Sequence, residues 1–168
     1  MSIVVHKGWP QYFRMIPHSR IPPELQDRYR PNEPVIQTTS DFECSWTAPD
    51  GRVARIVVES GLIFDGASIH WTARSVGLSR WSPDLWQVIG AITHDPAYQG
   101  LARFPDTRRR ENRRLHDLLA RDLWLYAGGP RWQVRAKYLG LRLGGWKAYE
   151  REPLKTETNR AYIRWEKL

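Results

Sequence analysis

One short motif, HDPAY at residues 94–98, gathers three side chains that can move or hold protons. On an α-helix His94 and Tyr98, four residues apart, share a face one turn from each other, and Asp95 is rotated by about 100° to the side. This set suits a neutral histidine that takes a proton from water, while the neighbouring carboxylate holds a cation or anchors a second group. The candidate catalytic residues are therefore His94, Asp95 and Tyr98.

A structural interpretation of the same motif stays open. His94 and Tyr98 can equally be hydrogen-bonded core residues, with Asp95 at a helix cap or in a salt bridge. Pro96 bears on both interpretations, because it removes a helical N–H group and disfavours helical backbone angles at Asp95. The helix is therefore expected to kink or end at Pro96.

A second candidate is Asp65, in the segment GLIFDGAS, whose two glycines are five residues apart. A carboxylate beside a glycine in a tight loop can offer both its oxygens and bare backbone groups to an ion or a phosphate. Asp65 and Asp95 are therefore the candidate metal ligands. The alternative for Asp65 is an ordinary turn in which its side chain bonds its own backbone. A zinc site is not expected, because the five histidines lack paired spacing and the chain has one cysteine.

The run RRRENRR at residues 108–114 places five arginines in about two helical turns near a helix N-terminus, where the helix dipole disfavours cations. The chain as a whole has a net charge of +8. A basic face of this kind predicts binding to nucleic acid, anionic lipid or an acidic partner, and the alternative is a solvated face. The candidate anion-binding residues are Arg108, Arg109, Arg110, Arg113 and Arg114.

The elements that must position these groups begin with a β-hairpin. Residues 42–46 alternate between apolar and polar side chains, residues 48–51 (APDG) have turn chemistry, and residues 53–58 are rich in β-branched side chains. The first helix starts at Ser82-Pro83-Asp84, which combines a capping hydroxyl, a proline and an acid in the first turn. A small antiparallel sheet, followed by helices, is therefore expected.

Two further helices follow, one from about Asp106 to Tyr126 and one that opens at Pro130. Together these elements predict an α+β fold, with a small antiparallel sheet packed against about three helices. The first two helices should run antiparallel. Helical spacing predicts that five side chains of the second helix point inward: Leu115, Leu118, Leu119, Leu123 and Tyr126.

The predicted organisation is one core domain with two appendages. Residues 1–37 hold six prolines and are expected to form an extended arm, residues 38–150 a single α+β core domain, and residues 151–168 a polar C-terminal tail. No run of about 18 apolar residues is present, and the first ten residues do not have the pattern of a signal peptide. A soluble protein made in a cytoplasm, without a transmembrane segment, is therefore expected.

Four segments taken in order resemble the domain-of-unknown-function 1353 family, found mainly in bacteriophages and prophages: GLIFDGASIH, AITHDPAY, the charged helix and RAKYLGLRLGGW. The resemblance spans roughly residues 40–150. It implies a phage protein, made in the host cytoplasm and located in the virion, that assembles with other virion proteins as a homo- or hetero-oligomer. The family pattern also has an acid in the helix after the HD pair, and we assign that position to Asn112, with Asp106 as the alternative.

The HD and Tyr spacing is similar to the active helix of phospholipase A2 enzymes, including capsid-borne viral ones. This similarity implies that His94 is the base that activates water, that Asp95 binds calcium, and that Tyr98 with a distant acid steadies the histidine. It also implies Ca²⁺ as a cofactor, with residues 61–66 in place of the glycine-rich calcium loop. Shared spacing does not by itself establish shared chemistry.

Two functions from different classes follow. The first is a virion or tail-associated structural and interaction protein that acts at the host envelope. The second is a calcium-dependent, phospholipase A2-like hydrolase of lipid or a related ester, which uses the His94 and Asp95 pair. We rank the structural role first, because the apolar arm, the nine tryptophans and the basic face all suit assembly.

Overall fold

The computed structural model describes residues 2–8, 13–27, 29, 35–64, 85–145, 149 and 161–166. Within these ranges seven strands form two antiparallel sheets, accompanied by four α-helices, so the predicted α+β class is confirmed. The strands are β1 (Ile3–Lys7), β2 (Phe13–Ile16), β3 (Val35–Thr38), β4 (Phe42–Thr47), β5 (Val53–Val58), β6 (Ile63–Phe64) and β7 (Ala161–Trp165). The helices are α1 (Pro23–Gln26), α2 (Leu85–Tyr98), α3 (Arg109–Tyr126) and α4 (Arg131–Gly144).

The predicted hairpin is the centre of the larger sheet. β4 and β5 pair antiparallel from Phe42 opposite Val58 to Thr47 opposite Val53. In the turn, the N–H of Gly51 donates to the carbonyl of Ala48 at 3.0 Å, and Gly51 has a φ of 87°, which glycine adopts without strain. Every second side chain of both strands is buried, as the alternating pattern predicts.

Segments from both ends of the chain join the sheets. The larger sheet has the order β1-β4-β5-β7, so its outer strands come from the predicted arm and the predicted tail. The smaller sheet, β2-β3-β6, again uses residues of the arm. The boundaries predicted at residues 37 and 150 therefore do not separate the arm and tail from the core. Their strands satisfy the backbone groups along the two edges of the hairpin, a requirement that residue patterns do not reveal.

The helices pack on one another in chain order, α2 on α3 and α3 on α4. Tyr98 of α2 lies against Arg113, and His94 contacts Asp117 on α3, so the two helices run antiparallel as predicted. The site residues therefore face one another along this interface. Four of the five predicted inward side chains of α3 are buried, whereas Tyr126 is about half exposed.

A glycine sets how closely α2 and α3 approach. A Cβ atom on Gly90 would lie 2.2 Å from Nε1 of Trp124 on α3, closer than real side chains come. The indole of Trp124 thus fills the space over Gly90, one turn before His94. This contact holds His94 against α3.

The proline in the motif does not end its helix. α2 continues through Pro96 to Tyr98, and the N–H of Gln99 still donates to the carbonyl of Asp95 at 2.9 Å. Of the expected kink or end at Pro96, the end is therefore wrong by two residues, because packing against α3 outweighs the local preference, and the kink stays a prediction. The predicted helix start at residues 82–84 lies outside the described residues, within which α2 begins at Leu85.

Candidate functional site

His94 lies between two carboxyl groups in the interface between α2 and α3. Its Nδ1 donates a hydrogen bond to Oδ1 of Asp95, the next residue on the helix, at 3.3 Å. Its Nε2 is 3.3 Å from Oδ1 of Asp117 on α3, an ion-pair distance. At most 4% of any of these three side chains is exposed, so water and salt screen the charges weakly.

Tyr98 binds the second of these carboxyl groups. Its ring packs against the imidazole of His94, with the two centroids 4.0 Å apart, and its hydroxyl donates to Oδ1 of Asp117 at 2.8 Å. The spacing of four residues thus places the imidazole and the phenol side by side, as the sequence predicts. A Cβ atom on Gly145 would lie 2.6 Å from the Tyr98 hydroxyl, so the end of α4 closes directly on the site.

Two arginines connect the site to α4. Nη1 of Arg142 donates to Oδ2 of Asp117 at 2.7 Å, and Nε of Arg113 is 3.7 Å from the same oxygen. Nη2 of Arg113 also donates to the carbonyls of Leu141 and Arg142, at 2.7 and 3.0 Å. The carbonyl of Leu141 already accepts from the N–H of Gly145 at 2.9 Å, whereas carbonyls at the very end of a helix lack helical partners, so Arg113 caps α4 chiefly at Arg142. Asp117 is therefore the point at which α2, α3 and α4 meet.

Contacts among the buried side chains shift the pKa values of His94 and Asp117 so that their charged forms are favoured at neutral pH. Burial alone would lower the pKa of His94, but the neighbouring Asp117 and Asp95 outweigh it and raise that pKa to about 9. Burial would raise the pKa of Asp117, but its contacts with His94, Arg142 and Tyr98 hold that pKa below its usual value. Burial raises the pKa of Tyr98. At neutral pH the site therefore holds a protonated imidazole, an ionised Asp117 and a neutral phenol.

The acid that supports His94 is Asp117 and not the predicted Asn112. The side-chain oxygen of Asn112 accepts from the N–H of Phe104 at 2.7 Å, and its amide donates to the hydroxyl of Tyr149. Asn112 reaches the site only through Tyr149, whose ring packs edge-on against Tyr98 at 5.0 Å. Five residues correspond to about 140° around a helix, so Asn112 points in another direction from Asp117.

The other predicted substitute for this acid, Asp106, is also in the wrong place. It is exposed in the turn before α3, with a φ of 56°. A signal for Asp117 was present in the sequence, because it lies in the stretch LHDLL between Leu115 and Leu118. A charged residue in the apolar part of a helix is rarely buried without a partner, so it marks either a function or an ion pair.

The predicted anion-binding run divides into two parts. Arg113 turns inward to Asp117 and the end of α4, with 13% of its side chain exposed. Arg109 is exposed and donates to the carbonyl of Tyr149 at 2.9 Å. Arg108, Arg110 and Arg114 are exposed. The outward-facing basic surface is therefore smaller by one arginine than predicted.

Only one of the two predicted metal ligands can be placed. Asp65 lies outside the described residues, and Asp95 faces His94. Within the described ranges, no group of three or more His, Cys, Asp or Glu side chains is arranged to hold a metal ion. Calcium takes six to eight oxygen ligands, so these side chains do not by themselves form a calcium site.

A second histidine, His116, lies behind the site, and the sequence motifs do not single it out. It is fully buried beside Asp117, with its ring centroid 4.8 Å from that of Phe104. Burial and the nearby charge of His94 lower its pKa to about 3. In the described part of the chain neither ring nitrogen makes a hydrogen bond of ordinary geometry, although the backbone of Ala102 lies close enough to oppose the lowering of the pKa. His116 is therefore neutral and belongs to the core.

Comparisons with protein families, with curated proteins and with solved structures found no match to this chain. In the described ranges, no helix has the length and apolar character needed to cross a membrane. The functional inference therefore depends on the site itself, a buried His, Asp and Tyr set held between three helices.

Proposed function

We propose that the protein is a hydrolase of ester bonds in which His94 is the general base. The observation that supports this proposal is the position of Asp117, within 3.3 Å of Nε2 of His94 and hydrogen-bonded to Tyr98. A base that is oriented by a carboxylate on its far side is the arrangement that activates water or a hydroxyl group in many hydrolases. Strongly shifted pKa values in such a cluster also favour a functional site.

The roles of the residues follow from the two edges of the imidazole. Asp117 holds the Nε2 edge and stabilises the protonated ring, and the hydrogen bond from Tyr98 fixes the orientation of that carboxylate. Nδ1 is then the atom that takes a proton from the attacking water, which must first displace the Asp95 carboxylate that contacts Nδ1 at 3.3 Å. As the ester bond breaks, the same proton is returned to the departing alkoxide. Asp95 positions the water or a cation beside Nδ1.

The raised pKa of His94 has a direct consequence for such a reaction. A base must lose its proton before it can act, and the pKa of about 9 means that His94 is largely protonated at neutral pH. We therefore expect activity to increase from pH 7 to about pH 10. Neutralising the carboxylate of Asp95 would lower this pKa, because Asp95 is one of the two groups that raise it.

The two resemblances suggest the substrate class and the setting. The phospholipase A2 pattern includes a distant acid that contacts both the histidine and the tyrosine. In this chain Asp117 makes both contacts. Phospholipid is therefore the ester that we propose, with calcium dependence to be tested. The similarity to the phage family supports a location in the virion and action on the host envelope.

The second candidate function is a virion or tail component without catalysis. The observation that favours it is burial, because only 2% of His94 and none of Asp117 is exposed. With this function the charged cluster joins three helices, and the basic surface contacts other virion proteins, nucleic acid or anionic lipid. Its four outward arginines are Arg108, Arg109, Arg110 and Arg114.

The test is fatty acid release from mixed phospholipid vesicles at pH 9, with Ca²⁺ and with a chelator. His94→Gln should lower the rate at least about a hundredfold, because general bases contribute that much or more. The matched control is His18→Gln, which alters a histidine bonded to the backbone of Gln26 and Tyr29, and it should change the rate less than about twofold. No release by the wild-type chain, or equal rates in both variants, would favour the structural role.

A further inference from the structure

α4 is apolar on two opposite faces. Val134 and Leu141 are buried against the rest of the protein. Trp132, Leu139 and Leu143 are separated by seven and four residues, so they share one face of the helix, and they are 62%, 48% and 79% exposed. Nine residues separate Trp132 from Leu141, which places the two on opposite sides. We name the exposed set Trp132, Leu139 and Leu143 the α4 stripe.

The chain around the α4 stripe is strongly basic. Residues 123–149 contain five Lys and Arg residues and no Asp or Glu. Lys137 is buried, Arg142 pairs with Asp117 and Lys147 lies outside the described residues, so the cations that face solvent here are Arg131 and Arg135. Arg135, three residues after Trp132 and four before Leu139, is exposed along one edge of the stripe. Arg131, next to Trp132, is exposed as well. Within residues 123–149, three apolar side chains and two cations therefore face solvent together, without an acidic residue in that segment.

We propose that the α4 stripe docks the protein onto an anionic lipid bilayer. Helices that lie in a membrane interface carry Trp and Leu on the side that enters the lipid, with Lys and Arg beside them for the anionic head groups. Tryptophan favours this interface because its ring is both apolar and polar. A nucleic acid would bind the arginines but would leave the two leucines in water.

A second copy of the chain fits the α4 stripe less well than a bilayer does. Pairing two stripes would bring two sets of cations together without an acidic residue from residues 123–149 of either copy, and each copy has a net charge of +8. Like charges that face each other across an interface are destabilising. The charge of the segment therefore favours an anionic surface as the occupant.

The α4 stripe is connected to the candidate site at the end of the helix. Leu143, the most exposed member of the stripe, follows Arg142, whose guanidinium donates to Asp117 at 2.7 Å. Docking would therefore bring the last turn of α4, and with it Asp117, towards the lipid surface. Docking is a separate property from the proposed hydrolysis. It can be measured as vesicle binding, without any turnover of lipid.

The experiment is flotation of the purified chain with vesicles of phosphatidylcholine alone and with about 30% phosphatidylglycerol, which gives the surface a clear negative potential. The wild-type chain should float with the anionic vesicles and bind them at least about tenfold more tightly than neutral ones. Leu139→Gln with Leu143→Gln should weaken binding at least about tenfold, because two apolar side chains no longer enter the lipid. Arg135→Gln should weaken it about fivefold.

Two control variants show whether binding is specific to the α4 stripe. Met15→Gln alters an equally exposed apolar side chain, on β2, and should leave binding unchanged. His94→Gln should bind vesicles as the wild type does, so a failure of hydrolysis and a failure of docking are distinguishable. The proposal is overturned by equal binding of the double leucine variant, by absence of binding to anionic vesicles, or by a concentration-dependent dimer that the leucine changes abolish.

Discussion

Replacing Asp117 by asparagine would remove the negative charge at the centre of the site while keeping the size of the side chain. Asp117 has no exposed surface and lies 3.3 Å from Nε2 of His94, 2.7 Å from Arg142 and 3.7 Å from Arg113. Removing one partner of a buried ion pair typically costs about 3–5 kcal/mol, because the other charge is left without compensation. Arg142 is 27% exposed and can turn towards water, which places the expected cost near the lower limit.

We therefore expect Asp117→Asn to lower the free energy of unfolding by about 3 kcal/mol at pH 7. It should also lower the pKa of His94, because Asp117 is the first of the groups that raise it. Urea unfolding followed by tryptophan fluorescence measures the first quantity, and an NMR titration of the His94 ring measures the second. The two measurements are independent of any enzymatic activity.

The matched control is Asp122→Asn, one turn and a half further along α3. Asp122 is also buried, and it accepts a hydrogen bond from Nε1 of Trp46 at 2.9 Å, which an amide oxygen can still accept. Its other oxygen accepts from Arg121 at 2.7 Å, but Arg121 is 24% exposed and can turn towards water when the charge is removed. This variant should cost about 1 kcal/mol and leave the His94 titration unchanged. A cost below about 1 kcal/mol for Asp117→Asn, together with an unaltered His94 pKa, would refute the description of the charged cluster.

Three further predictions concern stability. The pKa of His94 rises from an ordinary value of 6.5 to about 9 in the fold. Its contribution to the free energy of unfolding is therefore fully present below pH 6.5 and is lost as the pH rises through 9. We expect urea unfolding to show a loss of about 2–3 kcal/mol between pH 7 and 10. Gly90→Ala would push a Cβ atom into Trp124 and should cost about 1–3 kcal/mol, with a lowered melting temperature in calorimetry. The pKa of His116 in the fold, about 3, is lower than its ordinary value of 6.5, so the free energy of unfolding should fall as the pH falls from 6.5 towards 3. His116→Leu should remove this contribution to acid unfolding curves, with little cost at pH 7.

The fold was predictable where local patterns are strong. The alternating strands around residues 48–51 indicated the hairpin, and helical spacing indicated α3 to within about three residues of its ends and the start of α4 to within one residue. The pairing of the outer strands β1 and β7 was not predictable, since a short strand pattern does not reveal which distant strand its backbone groups will join. The second sheet escaped prediction for the same reason.

The candidate site was predictable in part. His94, Asp95 and Tyr98 come together because their spacing is local and helical, and the structure brings all three into contact with one another or with Asp117. Asp117 was missed because its partnership with His94 depends on how α2 and α3 pack, and a choice between acids on α3 requires the register of that packing. The same reason applies to Arg113, whose sequence context is that of a surface cluster but whose side chain is turned inward.

The proposed role of His94 as a general base predicts how the rate of hydrolysis depends on pH. We would measure kcat/KM for phospholipid hydrolysis between pH 6 and 10 for the wild-type chain and for Asp95→Asn. We expect a rate that rises with the loss of one proton at an apparent pKa of about 9, and a lower apparent pKa in the variant. A rate that is independent of pH, or an apparent pKa that Asp95→Asn leaves unchanged, would contradict this role.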